Sequence, residues 1–466
     1  MTKQPLGLWP ANPRYFRFRG EPTVLITSAE HYGAVLNLDF DYVRYLGTLQ
    51  RHRFNYTRAA SGAFVERKQT IEGSGWENPY APRPSRFVAP WRRTEVPGYA
   101  HGGTRFDLTA FEPAYFDRLD DFVNQAGLRG IVVEFTIFTA MFSASQWGIS
   151  PMNTVNNINE LPPLAWDEVY RVGNGGLLDH QLALTRRLTE ALVDHDNVLI
   201  EIFNEPYFGN VEPAWTDRID AEIAKVFADR GRRVPVSWNI ANQRGIIRDT
   251  PSTANVFTFH YATPEALTDN PDVALPVIDD ETGYAGVGDR PYRREAWRFL
   301  LSGGSGFNHL DYSFAPGQED GSRHLPETAS SGGGPRLRSQ LTFLRDFLYS
   351  VPFADMTPME VIAPGGEAVG LARSGRAYAW YMTAVESRVS VSFEVAAGNY
   401  MVCWSDPVGL VTTAPVDIDV DTDGTITLSA PAGTANEWAG TLLRRTAASG
   451  DTVATFDFAA AARTTG

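Results

Sequence analysis

Cysteine is nearly absent from this chain. Its 466 residues include one, Cys403, so no internal disulfide can form and the fold must rest on packing. Long apolar runs are missing as well, and none approaches the ~20 residues that cross a bilayer. Clustered positive charge is the third absence. The 41 Lys and Arg are scattered among 55 Asp and Glu, for a net charge of −14, which argues against nucleic acid or an anionic membrane as partner. The eight histidines stand apart, with no H-x-H or H-x-x-x-H, so neither a metal centre nor a cofactor is expected. The N-terminus, MTKQPLGLWPANPRYF, lacks the apolar core of a signal peptide, and with Met1 as the natural start this implies a cytoplasmic protein. What is abundant is core material. A chain that is 43% hydrophobic and 12% aromatic is not disordered, and its length suits one large domain with a smaller one.

The stretch 196–209, DNVLIEIFNEPYFG, organises the rest. Val198 to Phe203 is apolar on both faces, as a strand covered on both sides should be, and it runs into Asn204-Glu205-Pro206. Proline cannot donate to a sheet ladder and biases the residue before it toward extended geometry, which places Glu205 at the strand's C-terminal lip. In parallel α/β folds that lip carries catalysis. A lone carboxylate there fits a metal ligand, an acid or base, a nucleophile or an ion-pair partner. A second one narrows the choice. Residues 275–284, LPVIDDETGY, repeat the pattern, and strand alternation puts Glu281 on the face of Val277 and Asp279, with Asp280 opposite. Glu201 lies ~13 Å below Glu205 at ~3.3 Å per residue and reads as a satisfied interior carboxylate.

Taken in order, a hairpin over 14–26 leads into a first strand ending at Ser28 to Tyr32. A helix over 39–52 capped by Asp39 precedes a strand over 53–58 and a long insertion, 61–106, with Trp76 and Trp91. Helical spacing from Glu112 to Ala126 stops at Gly127, and a strand over 130–136 opens a second long loop, to about 174, with Trp147 and Trp166. A helix over 177–194 delivers the central strand. Further strands fall at 234–238, 255–261, 275–281 and 306–312, with helices over 216–230 and 337–350. Eight strands alternating with helices or helix-length gaps predict a (β/α)8 TIM barrel over 1–355. Beyond it, short alternating runs between Gly, Asn and Asp turns predict a C-terminal antiparallel β-sandwich over 356–446, then a tail over 447–466.

N-E-P at one strand end and E-T-G at another, in a barrel, resemble the clan A glycoside hydrolases of the broad cellulase-like family 5 type, over about residues 12–350. The resemblance implies an acid/base after the fourth strand, Glu205, and a nucleophile after the seventh, Glu281. Retaining glycosidases hold one protonated and one ionised carboxyl about 5–5.5 Å apart. It further implies that Arg58 holds the nucleophile ionised and that Asn204 binds the sugar 2-OH; by strand position, Asp279, one step below the lip, and Asp280 are placed to support Arg58. The family typically places a His and a Tyr at the lip of strand 6. Here His260 and Tyr261 are adjacent, so one must lie past the last regular strand residue. His31 with Tyr32, and His309 with Asp311, are further pocket candidates, and the insertion tryptophans are expected to wall the sugar pocket. The frequent strand 8 tryptophan is missing from FNHLDYSF. The segment from Cys403 to Pro407 resembles the appended sandwich of many barrel glycosidases, where its role is structural. A cytoplasmic location favours exo action on short oligosaccharides or small glycosides. The rival readings are a non-catalytic carbohydrate-binding barrel, a transglycosylase using the same residues, and a metal-dependent barrel hydrolase.

Overall fold

The structure is a computed structural model that describes residues 4–68, 78, 80–384, 390–431 and 436–445. Trp76 and the expected tail lie outside these residues. The chain divides into two units, Met1–Leu300 with Gly304–Thr342, and Leu301–Gly303 with Phe343–Gly466.

The first unit is an eight-stranded parallel barrel. Its strands are β1 (Leu25–Ala29), β2 (Tyr56–Ala60), β3 (Val132–Thr139), β4 (Val198–Asn204), β5 (Val236–Asn242), β6 (Val256–His260), β7 (Val277–Thr282) and β8 (Gly306–Leu310). They pair in the order β2-β3-β4-β5-β6-β7-β8-β1. At the seam between β1 and β2, the Asn55 side chain accepts from the Ile26 N–H at 2.9 Å and donates to the Val24 carbonyl at 2.8 Å, so the backbone groups there are partnered. Apart from one turn at Ala144–Trp147, the described helices are α1 (Tyr42–Arg51), α2 (Pro113–Leu128), α3 (Leu177–Leu192), α4 (Pro213–Arg230), the single turn α5 (Glu265–Thr268), α6 (Asp289–Leu300) and α7 (Pro335–Tyr349). Among the described residues no helix joins β5 to β6.

The apolar spacing of α2 buries Tyr115, Phe116, Leu119, Phe122, Val123 and Ala126, as the sequence predicts. Two helix ends differ from expectation. Asp41, not Asp39, caps α1 by accepting from the Arg44 N–H at 3.0 Å, while Asp39 is drawn away to Arg83 and Arg86, each at 2.7 Å. Gly127 lies inside α2 rather than ending it. Its reason for being glycine is proximity, since a β-carbon there would meet Asn197 Oδ1 at 3.1 Å. That Asn197 amide donates to the Val123 and Ile131 carbonyls at 3.1 and 2.9 Å.

The insertion after β2 holds its own antiparallel hairpin, Trp91–Pro97 with Thr104–Phe111. The N-terminal hairpin closes the barrel floor. Its Phe16 and Phe18, with Leu6, cluster with Leu25, Tyr56, Val132, Leu199, Val256 and Ile278 from the barrel strands. Burying each such side chain contributes about 1.5–3 kcal/mol. Among the described residues no helix is long and apolar enough to cross a membrane.

The second unit is built from antiparallel sheets. Strands β9 (Thr357–Met359), β10 (Gly366–Arg373), β11 (Ala377–Ala384), β13 (Gly398–Asp406), β14 (Val411–Thr412), β15 (Val416–Val420) and β17 (Glu437–Arg444) make one sheet, and β12 (Ser390–Val395) pairs with β16 (Gly424–Ser429) in another. Alternate residues of the two, including Tyr378, Trp380, Met382, Val391, Phe393, Tyr400, Trp404 and Leu428, form a shared core.

Candidate active site

Residues that follow five of the eight barrel strands share one backbone feature. Tyr32, Glu205, Gln243, Tyr261 and Tyr284, beyond the ends of β1, β4, β5, β6 and β7, all have φ between 54° and 65°. Left-handed backbone disfavours residues with a β-carbon by about 1–2 kcal/mol, and such strain gathers where side chains must be aimed. Here it breaks strand alternation and returns the side chain over the barrel mouth. That settles the adjacency of His260 and Tyr261. His260 faces inward as the last residue of β6, and Tyr261 faces inward from the left-handed position after it. Glu205 likewise departs from the extended geometry expected before Pro206. All but Gln243 line a cavity of about 400 Å³, within the ~300–1,000 Å³ of small-ligand sites.

Glu205 and Glu281 meet in this cavity. One oxygen of each, with a ring nitrogen of His260, lies within 4.8 Å of the other two. His260 Nδ1 donates to Glu205 Oε1 at 3.0 Å and stands 3.7 Å from Glu281 Oε1. Tyr207 contacts the same Glu205 oxygen at 3.4 Å and donates to Asn242 Oδ1 at 2.5 Å. Glu281 is held from both sides. Its Oε2 accepts from the Tyr32 hydroxyl and from Arg58 Nη1 at 3.2 Å, and its Oε1 accepts from the Tyr261 hydroxyl at 3.2 Å. Burial alone would raise the Glu281 pKa, but the charges of His260 and Arg58 and the Tyr32 hydrogen bond outweigh it and hold the group near 2. Burial would lower His260, yet Glu281, Asp280 and Glu205 lift it to about 9, so it is an imidazolium at neutral pH. Asn204 gives its Oδ1 to Arg58 Nη2 at 2.6 Å, which leaves its amide to donate into the cavity.

The fold at this point can be compared with known structures. It is shared with glycoside hydrolases. A structure described as a glycoside hydrolase matches with TM-score 0.63 at 12% identity, over 95% of this chain and 97% of that one. A glycoside hydrolase family 5 protein from Bacteroides vulgatus matches with TM-score 0.63 at 12% identity, over 95% and 96%. No family model and no curated protein sequence matches. At this identity the likeness establishes the fold, and the roles of residues have to come from geometry.

Directly beneath the cavity lies a buried charged layer. Arg58 Nη2 donates to Glu201 Oε2 at 2.5 Å and lies 3.4 Å from Asp280 Oδ2, and Glu134 accepts from the Ser237 hydroxyl at 2.6 Å and from Tyr56. Burial and the neighbouring Glu201 push Glu134 up to about 7, and burial pushes Asp280 well above the carboxylate range, so not all three acids are ionised beside one guanidinium. Glu201 is thus the partnered interior carboxylate expected. The two aspartates exchange the faces expected of them. A bulge in β7 pairs Phe259 with Asp279 but His260 with Glu281. Asp280 therefore faces inward with Ile278, Glu281 also turns to the cavity, and Asp279 faces Glu295 of α6, where burial first and the Glu295 carboxyl second push Asp279 well above the carboxylate range.

Either trio, Glu205-His260-Glu281 or Glu134-Glu201-Asp280, offers three ligand atoms within 4.8 Å. The lower trio already surrounds the Arg58 guanidinium, and the upper one is not suited to a metal. The upper carboxylates already accept from a histidine, a guanidinium and tyrosines, and an imidazolium, protonated on both ring nitrogens, has no lone pair to give.

His31 lines the cavity, with Nε2 3.6 Å from Glu66 Oε2. Asp311 does not. It is fully buried, accepting from Arg338 Nη1 at 2.6 Å and the Ser28 hydroxyl at 3.0 Å, and so anchors the start of α7. His309 is also buried away from the cavity, 3.0 Å from the Ser28 hydroxyl, and burial lowers it to about 4, leaving it neutral. Trp91 and Trp147 are buried anchors outside the cavity lining, and Trp147 donates to the Leu164 carbonyl at 2.8 Å. The cavity's rings come instead from tyrosines and phenylalanines. Phe208 and Tyr284 in the cavity wall, and Tyr207 against Glu205, directly follow the motifs, in N-E-P-Y-F and E-T-G-Y, the signal by which sequence can find them. Glu66 and Phe142 carried no local signal.

Proposed function

We propose that this protein is a retaining glycosidase that cleaves O-glycosidic bonds by double displacement, with Glu281 as nucleophile and Glu205 as acid/base. The observation that carries the reading is the pair of lip carboxylates with oxygens within 4.8 Å, of which Glu281 is fixed as an anion. The spacing fits the ~5–5.5 Å of a retaining pair better than the ~6.5–9.5 Å that admits a water in inverting enzymes. In the first half-reaction a Glu281 oxygen bonds to the anomeric carbon as the bond to the leaving oxygen breaks, and the Glu205 proton passes to that oxygen. In the second, water bonds to the anomeric carbon, its proton goes to Glu205 and Glu281 departs.

Three hydrogen-bond donors act on the nucleophile. Arg58, Tyr32 and Tyr261 keep Glu281 ionised and aimed, while the Asn204 amide is placed for a hydroxyl beside the reacting carbon, a contact that tightens as positive charge grows on the ring. On the side of Glu281, His31 and Glu66 stand in the cavity wall and Asn78 Nδ2 donates to Glu66 at 2.7 Å, a polar cluster suited to the end of a sugar. This supports exo action on short oligosaccharides or small glycosides. Chemical rescue tests the assignment. Azide should restore turnover of an aryl glycoside by Glu281→Ala with an inverted glycosyl azide as product, and by Glu205→Ala with a retained one. The opposite stereochemistry in the two variants would exchange the roles.

A further inference from the structure

We propose that the leaving-group side of the cavity is a site for an apolar aglycone, the alkyl or aryl alcohol of a small glycoside, rather than for a second sugar. The inference rests on the glycosidase reading, because the acid/base marks the side on which the leaving group sits. The backbone ties that side to phenylalanine. Phe208 follows Glu205 on one turn, its N–H donating to the Glu205 carbonyl at 3.0 Å. Its ring meets Phe142 edge-on at 5.8 Å, and Phe142 meets Phe64 edge-on at 6.0 Å. The three rings come from three separate segments, after β2, β3 and β4, and all line the cavity. Phe208 is 44% exposed, an apolar surface left open to water next to the acid/base.

The two sides of the cavity differ in a way that selects substrates. Around Glu281 the rings are tyrosines, Tyr32, Tyr261 and Tyr284, whose hydroxyls can partner sugar hydroxyls. On the leaving-group side three are phenylalanines, which have no polar atom, and the one tyrosine hydroxyl there, that of Tyr207, is already engaged with Glu205 and Asn242. A second sugar placed there would lose water without replacement from the hydroxyls that face the three phenylalanine rings, and each unpaired group costs about 1–3 kcal/mol. An alkyl chain or aromatic ring loses nothing and gains edge-to-face contacts.

Once a panel of nitrophenyl glycosides has identified the sugar, kcat/KM is measured for its methyl, n-octyl and 2-phenylethyl glycosides and for a disaccharide. All four have alcohol leaving groups, so binding rather than leaving ability separates them. The octyl or phenylethyl glycoside is expected to exceed both the methyl glycoside and the disaccharide at least tenfold, and the better of the two shows whether chain or ring is preferred. The double variant Phe142→Ala, Phe208→Ala should lower the octyl-to-methyl ratio about tenfold, the scale of a few buried methylenes. The ratio is the readout, so a loss of folded enzyme cancels. A disaccharide turned over as fast as the octyl glycoside, or a ratio unchanged in the double variant, overturns the aglycone site alone. If no glycoside in the panel is hydrolysed, the glycosidase reading fails and the aglycone site with it.

Discussion

Two adjacent layers of the barrel interior obey opposite rules. The floor takes Leu25, Tyr56, Val132, Leu199, Val256 and Ile278 from six strands. Two residues further along the same strands stand Thr27, Arg58, Glu134, Glu201, Thr258 and Asp280, all fully buried. The floor is an ordinary core that stabilises by excluding water. The layer above it takes four ionisable groups out of water, and buried ion pairs seldom repay that loss against apolar residues of similar size. Its value lies elsewhere. It fixes the Arg58 guanidinium, through Glu201 and Asp280, at the height where Glu281 and Asn204 need it.

Substitutions at successive heights should separate the layers. At the mouth, Glu281→Gln is expected to lower kcat by at least ~10⁴-fold, with a loss of stability no larger than that of the charge interactions Glu281 makes. An equal loss in a buried control such as Leu199→Ala would erase the contrast. In the charged layer, Arg58→Met leaves acids unpaired and should lower both activity and stability, the latter by about 3–5 kcal/mol, read from urea unfolding. In the floor, Leu199→Ala should reduce stability by about 2–5 kcal/mol yet leave kcat per folded molecule near that of the parent.

The smallest effect is on pH. Glu281 is depressed in the fold from an ordinary 4.5 to about 2, so its stabilisation stands in full above 4.5 and fades as pH falls through 2. His260 is raised from 6.5 to about 9, so its contribution is complete below 6.5 and is lost as pH climbs through 9. Melting temperatures followed across both windows should show two shoulders, and His260→Asn should remove the alkaline one.

The same contrast explains what the sequence discloses. Apolar periodicity places the floor and the helices, because burial follows residue type directly. N-E-P and E-T-G mark Glu205 and Glu281 because proline and glycine punctuate strands. Asp279 and Asp280 face opposite to what alternation predicts because one bulge in β7 reverses it, and no residue type announces a bulge. The inward turn of Tyr261 and Tyr284 depends on left-handed backbone that tyrosine does not advertise. Asp311 looked like a pocket residue at a strand end, and only the approach of Arg338, 27 positions later, makes it structural. The tryptophans of the 61–106 insertion suggest a sugar wall, whereas Trp91 serves as packing.

The central claim is that Glu205 and Glu281 face one anomeric carbon from opposite sides, with no room for a hydrolytic water between nucleophile and sugar. A proton NMR time course of hydrolysis, read before the product mutarotates, tests it most directly. The account predicts that the first sugar to appear keeps the anomeric configuration of the substrate; first appearance of the opposite anomer would contradict it.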